Sequence, residues 1–184
     1  MIRETSFYSL DELTELGFKS IGSGCLISRN AHFYGAADMT FGDNVRIDDF
    51  CILSGRIFCG SNIHISAYTA LYGSEGIFLD DYTGISARTT VYSAMDDFSG
   101  DYLIGSMSPA DTSHVTGGPV VIKRYSQICA HCVVLPNLTI GEGTIVGACS
   151  MVRRSLGSWG IYYGIPATFK RERKKGLLSK IDIR

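Results

Sequence analysis

Four histidines and a pair of adjacent aspartates are the side chains here best suited to moving protons: His32, His64, His114, His131 and Asp96-Asp97. Histidine titrates near neutral pH, so it can act as a general base without a large shift. His64 stands within SNIHISAY, and His114 lies in a long polar stretch that also carries Asp96-Asp97. A carboxylate in that stretch could orient a histidine, bind hydroxyl groups or accept a proton itself. His32 reads as a surface position, and His131 as an outward one able to line a groove. Cys129 and Cys132 bracket His131 as C-x-x-C, which raises metal or redox chemistry. No second cysteine pair completes a zinc site, and inward-facing cysteine behaves as a small hydrophobe, so Cys25, Cys51, Cys59 and Cys132 read as core and no metal is expected. Near the end, Lys170-Arg171-Glu172-Arg173-Lys174-Lys175 is either a solvated face or a source of cations for a phosphate-bearing ligand.

The elements that position these groups follow from a period of six. Ile122, Ile128, Val134, Ile140, Val146 and Val152 are each six residues apart, a spacing that neither an α-helix nor an alternating strand produces. Small or apolar residues recur four places after them: Ser126, Cys132, Leu138, Thr144 and Ser150. This is the hexapeptide repeat of a parallel β-helix, which winds short strands into triangular coils. The count starts at Ile21 and runs through Ile27 and Phe33, then Phe41, Ile47 and Leu53, then Cys59, Ile65 and Leu71, then Leu79, Ile85 and Val91. It is broken after Phe33, Leu71 and Val91, always behind the third strand of a coil, so all three insertions leave one corner of the prism. The third is long, polar and rich in Gly, Ser and Asp, and a loop of this length in a compact repeat points to function.

Composition agrees with this reading. The chain has 184 residues, 45% hydrophobic and 19% charged, with 21 glycines, which suits a turn-rich β structure. A formal net charge of -1 gives no general attraction to nucleic acid or to an anionic membrane. No run reaches the roughly 18 apolar residues of a membrane-spanning helix, and acidic residues occupy the place of a signal peptide's apolar stretch, so a cytoplasmic location is expected. Ser9-Leu10-Asp11-Glu12 is a capping box that predicts a short helix ending near Gly17, with Leu10, Leu13 and Leu16 plugging the open end of the coils. The organisation is therefore an N-terminal helical cap over residues 1–20, a β-helix over 21–167 with its loop at 96–119, and a basic C-terminal segment over 168–184 read as helical.

Ile140-Gly-Glu-Gly-Thr-Ile-Val-Gly-Ala-Cys-Ser-Met-Val152 and Gly164-Ile-Pro-Ala167 resemble the last coils and closing turn of the hexapeptide-repeat acyltransferases. The loop after Val91 sits where the galactoside and maltose O-acetyltransferase group carries its active-site loop. YSAMDDFSG with VTGGPVVI resembles a branch that acetylates sugars of polysaccharide or O-antigen synthesis. The resemblance implies an all-β fold of left-handed coils, a homotrimer with sites between prisms, and acetyl-CoA as donor. The pantetheine arm would lie along Gly147 and Ala148, and Lys170, Arg171 and Arg173 would meet the CoA phosphates. The first acceptor expected is a sugar hydroxyl, with an amino group on a nucleotide-linked sugar as the second. In the galactoside group a histidine stands early in the loop, where this chain has Asp96-Asp97. Those aspartates are accordingly expected to position the acceptor, with His64 or His114 as base. His64 and the loop leave different corners, so they would meet across subunits. A γ-class carbonic anhydrase shares the fold, but its histidine pair five residues apart is missing here. A non-catalytic β-helix scaffold is the alternative of another class, against which the long loop and basic tail argue.

Overall fold

The computed structural model describes residues 6–180, which wind into a parallel β-helix of triangular cross-section. The inward residues of each face stack directly over their counterparts one coil away. On the first face the ladder runs Ile21, Phe41, Cys59, Leu79, Ile122, Ile140. On the second it runs Ile27, Ile47, Ile65, Ile85, Ile128, Val146, Tyr162. The third reads Phe33, Leu53, Leu71, Val91, Val134, Val152. Almost all of these are fully buried, and each buried aliphatic side chain contributes roughly 1.5–3 kcal/mol.

The small residues of the repeat have a second task at the corners. Ser126 Oγ donates to the Gly141 carbonyl at 2.8 Å, Thr144 Oγ1 to Gly157 at 2.7 Å and Thr89 Oγ1 to Cys129 at 2.9 Å. These bonds satisfy three buried hydroxyls and tie neighbouring coils together, whereas Thr83 in the same register leaves its buried Oγ1 without a partner. Turn residues at two corners take left-handed backbone angles although few are glycine: Asn44, Asn62, Tyr82 and Tyr125 at one, Phe50, Tyr68, Arg88, His131 and Cys149 at the other. A non-glycine residue there costs on the order of 1 kcal/mol. Stacking offsets it: Phe50 lies on Tyr68 at 4.9 Å, and the Arg88 guanidinium covers Tyr68 at 4.5 Å.

The third corner is where the insertions leave. A three-residue 3-10 turn, Ala36–Asp38, occupies the first. In the long strands Ile52–Cys59 and Ala70–Leu79 the register shifts between Gly55 and Ile57, accommodating the second. Gly55 sits there at φ 78°, and a Cβ on it would lie 2.8 Å from the Gly73 carbonyl carbon, so the corner admits no side chain at that point.

Both ends differ in part from expectation. The helix forms over Leu10–Glu15 behind a complete Ser9–Glu12 capping box. Leu13 is buried and Leu16 packs on the core, whereas Leu10 faces solvent. The remaining plug is Phe18, edge-on to Phe33 and to Phe41 at 5.0 Å each. At the other end the basic segment is not a helix. Ala167–Glu172 is a strand antiparallel to Gly160–Gly164. It pairs the last open edge of the second face, and Phe169 packs edge-on to Tyr162 at 5.5 Å. Only a short 3-10 turn, Leu178–Lys180, follows, and residues 181–184 and 1–5 of the expected terminal segments lie outside the described residues.

Candidate active site at the loop corner

The long insertion begins and ends as a two-stranded ribbon. Ala94–Asp96 pairs antiparallel with Val115–Gly117, placing Ala94 opposite Gly117 and Asp96 opposite Val115. Buried Ser93 clamps its root. Its carbonyl accepts from Gly118 N–H at 2.9 Å, and its Oγ donates to the Tyr72 carbonyl at 3.0 Å while accepting from Glu75 N–H at 2.8 Å. The same serine thereby holds the second insertion against the third.

Beside the ribbon lies an open cleft of about 720 Å³, walled by Tyr72, Tyr92, Ala94, Met95, Asp96, Phe98, Val115 and Leu135. Tyr72 and Tyr92 stand one coil apart, their rings stacked at 5.3 Å and 14°. Asp96 is the one ionisable carboxylate on this mainly apolar wall, and its oxygens have no hydrogen-bond partner among the described residues. A free carboxylate against an apolar surface is suited to hold an amine or hydroxyl and to take its proton.

Ala94, Met95, Asp96 and Val115 of the ribbon line the cleft, and the next pair outward, Asp97 and His114, does not. His114 Nδ1 donates to Asp97 Oδ2 at 2.9 Å, and the imidazole lies 4.8 Å from the Tyr102 ring. The hydrogen bond from His114, aided by one from the Ser99 N–H, holds the Asp97 carboxyl down to a pKa of about 2.

His64 stands elsewhere, on the outer side of the second face, half-exposed. Its Nε2 bonds Asp48 Oδ2 at 2.7 Å, and Arg46 Nε donates to Asp48 Oδ1 at 2.7 Å. Burial pushes the Asp48 carboxyl up, but the bonds from Arg46 and His64 outweigh it and lower its pKa. The loop leaves from the corner between the third and first faces, so His64 does not meet Asp96 within one chain. His32 is exposed on the third face and His131 in a left-handed turn.

Of the residues expected to hold the donor, Ala148 is exposed and Lys170 lies 4.8 Å over the Tyr163 ring. Arg171 is exposed on the final strand. Gly147 is packed beneath Tyr163, whose Cβ would be 2.8 Å from an added methyl. Arg173 is committed inward: Nη1 donates to the carbonyls of Tyr125 at 2.6 Å and Gly143 at 3.0 Å. Cys132 is buried, Cys129 half-buried and Cys149 exposed, all as free thiols.

Sequence reasoning missed Tyr72 and Tyr92. Each directly follows an inward residue of the third face, Leu71 or Val91, at the corner that carries the insertions, and that register was the available signal.

Triangular coils counted by sixes are the architecture of the hexapeptide-repeat proteins. Residues 119–154 match the family described as bacterial transferase hexapeptide (six repeats). The dTDP-4-amino-4,6-dideoxy-D-glucose acyltransferase of Escherichia coli is 38% identical over 174 residues, 92% of this chain and 91% of that protein. The chain belongs to the hexapeptide-repeat sugar acyltransferases, and its fold is their left-handed parallel β-helix. AntD, an N-acyltransferase from Bacillus cereus, is 47% identical. One solved structure of a variant holds dTDP-4-amino-4,6-dideoxyglucose and coenzyme A, covers 97% of this chain and 96% of that one, and superposes with a TM-score of 0.95. A second, with dTDP and 3-hydroxybutyryl-CoA, covers 97% and 95% with a TM-score of 0.94. One of these relatives is named for an amino sugar and the other, an N-acyltransferase, is solved with one, which favours the amino acceptor over the hydroxyl expected first.

Proposed function

We propose that this protein transfers an acyl group from coenzyme A to the amino group of a dTDP-linked amino-deoxysugar. The observation that carries this reading is the likeness, over more than nine-tenths of the chain, to an acyltransferase named for dTDP-4-amino-4,6-dideoxy-D-glucose and to one solved with that sugar nucleotide and coenzyme A. The cleft supports it. Tyr72, Tyr92, Phe98 and Leu135 offer a surface better matched to a deoxygenated sugar than to a fully hydroxylated one.

An amine brings its own lone pair, so the chemistry needs less help than attack by a hydroxyl. The nitrogen adds to the thioester carbonyl, the C–S bond breaks as the C–N bond is completed, and the coenzyme leaves as its thiolate. Asp96 holds the amine and accepts the proton that the nitrogen sheds, from which the sulfur is reprotonated. In a homotrimer, His64 with its Asp48–Arg46 support would approach the acceptor from a neighbouring subunit. Ala148, Lys170 and Arg171 line the path proposed for the coenzyme, with the two cations toward its phosphates.

The test is product analysis by mass spectrometry. The protein is incubated with acetyl-CoA or 3-hydroxybutyryl-CoA and either dTDP-4-amino-4,6-dideoxyglucose or dTDP-glucose. Amide formation on the amino sugar with equimolar release of free thiol is expected. Acylation of dTDP-glucose alone, or no product with either acceptor, would overturn the proposal.

A further inference from the structure

A two-stranded ribbon of three residues per strand is marginal in water unless something fastens it. Here Ser93 fastens the root, and Asp97 and His114 are joined at the far end, where Asp97 N–H also donates to the His114 carbonyl at 2.9 Å. Asp96, one residue inside this outer fastening and paired with Val115, lines the cleft. Beyond it, residues 98–113 make a largely exposed excursion, held by short turns such as Ser108 N–H to the Gly105 carbonyl at 3.1 Å and by one bridge in which Leu103 N–H donates to the Thr112 carbonyl at 2.9 Å.

We propose that the Asp97–His114 pair is a clasp that fixes the ribbon so that Asp96 faces the acceptor, and that His114 is a positioning residue rather than the base. The inference rests on Asp96 contacting the acceptor, as argued above. Three observations support it. Neither His114 nor Asp97 is among the residues that wall the cleft, whereas Asp96 and Val115 are. The partner carboxylate of His114 also accepts the Ser99 N–H at 2.7 Å, so the pair ties the start of the excursion to its return strand. The imidazole ring packs on Tyr102, so it braces the excursion as well as the ribbon. A charge-assisted bond of this kind is about twice as strong as a neutral one, enough to hold a short ribbon in one arrangement.

The test compares His114→Asn, which keeps an N–H donor near the position of Nδ1, with His114→Phe, which keeps the ring on Tyr102 and loses the donor. A clasp predicts that the Asn variant stays within roughly threefold of the native kcat/KM for the amino-sugar nucleotide, whereas the Phe variant loses roughly 10- to 100-fold, with KM for acyl-CoA unchanged in both. Chymotrypsin cleavage at Phe98 and Tyr102 should accelerate in the Phe variant and not in the Asn variant. If the Asn variant loses about 10²- to 10⁴-fold, as removal of a proton-transfer group does, the clasp is overturned. Native activity and native cleavage rates in the Phe variant overturn it equally. Should the unmodified protein not acylate the amino sugar, the functional reading has failed, and the two cleavage rates still decide for or against the clasp.

Discussion

Arg173, the residue after the final strand, reaches to the corner between the first and second faces, donating from Nη1 to the carbonyls of Tyr125 and Gly143, one coil apart. Trp159 completes the arrangement. It packs directly over Gly143, where a Cβ would lie 2.6 Å from the indole, and the Arg173 guanidinium stands 5.9 Å from its ring centre. The last strand is thus held by a cation that caps orphan carbonyls, and that role competes with phosphate binding.

Arg173→Ala should therefore act on stability. Losing charge-assisted bonds to two part-buried carbonyls is expected to cost about 1–2 kcal/mol, a fall of about 2–8 °C in melting temperature for a chain of this size. Arg173→Lys should not restore it, because a single ammonium lacks the planar fork and its fit beside Trp159. Thermal melts followed by circular dichroism check both.

Lys170 and Arg171 are exposed on the strand Ala167–Glu172, and we propose that they meet the phosphates of the coenzyme. Changing both to alanine should leave the melting temperature within about 1 °C while weakening coenzyme A binding about 5- to 10-fold, less at high salt, because exposed charges are screened. Calorimetric titration at two ionic strengths checks this. Equal affinity for native and variant protein at low salt would remove these residues from the donor site.

Asp96→Asn keeps the shape of the side chain and removes its capacity to accept a proton. A drop in kcat of about 10²- to 10³-fold is expected, with KM for acyl-CoA unchanged. The readout is initial rate of thiol release. A drop that appears only in KM for the acceptor would make Asp96 a binding group alone.

The Asp97 carboxyl has a folded-state pKa of about 2, below its ordinary value of 3.8. The sign follows from linkage: a depressed carboxylate adds stability that is fully present above its unfolded pKa and is lost as pH falls toward the folded value. The difference in loop protection between native protein and Asp97→Asn should be constant above about pH 5 and shrink from about pH 4 toward pH 2. Hydrogen exchange of the residues around 97–114, quenched at each pH, measures it. A difference that grows on acidification would contradict the pairing.

The fold was legible because one period carries it. Every third-strand, second-strand and first-strand position counted by sixes from Ile27 to Val152 is an inward one, and the cysteines at 25, 51, 59 and 132 are buried with the aliphatics. Burial pushes the Cys51 thiol up to about 11, in keeping with its place in the apolar interior. What the period did not carry is what lies outside it. The basic run after Ala167 is a strand because an open sheet edge needed pairing, a demand that belongs to the assembled coil and not to local propensity. The same holds for Phe18, whose role as a plug depends on Phe33 and Phe41 arriving beside it from later in the chain. At the site, Asp96 and Asp97 were visible as a pair, but which of them faces the cleft is set by the ribbon's register with Val115.

The corner that carries the insertions has a consequence for how such a chain can diversify. Glycines at 55 and 73 let the coil pass there without side chains, and elsewhere at the same corner the chain detours through a 3-10 turn or the ribbon before resuming its count. Val91 and Ile122 rejoin their ladders as though nothing had intervened. Loop length is thereby uncoupled from coil register. The insertions can be lengthened, shortened or exchanged while the prism that bears them keeps its stacking, so the loop side of the cleft can change without its coil side, where Tyr72, Tyr92 and Leu135 stay in register.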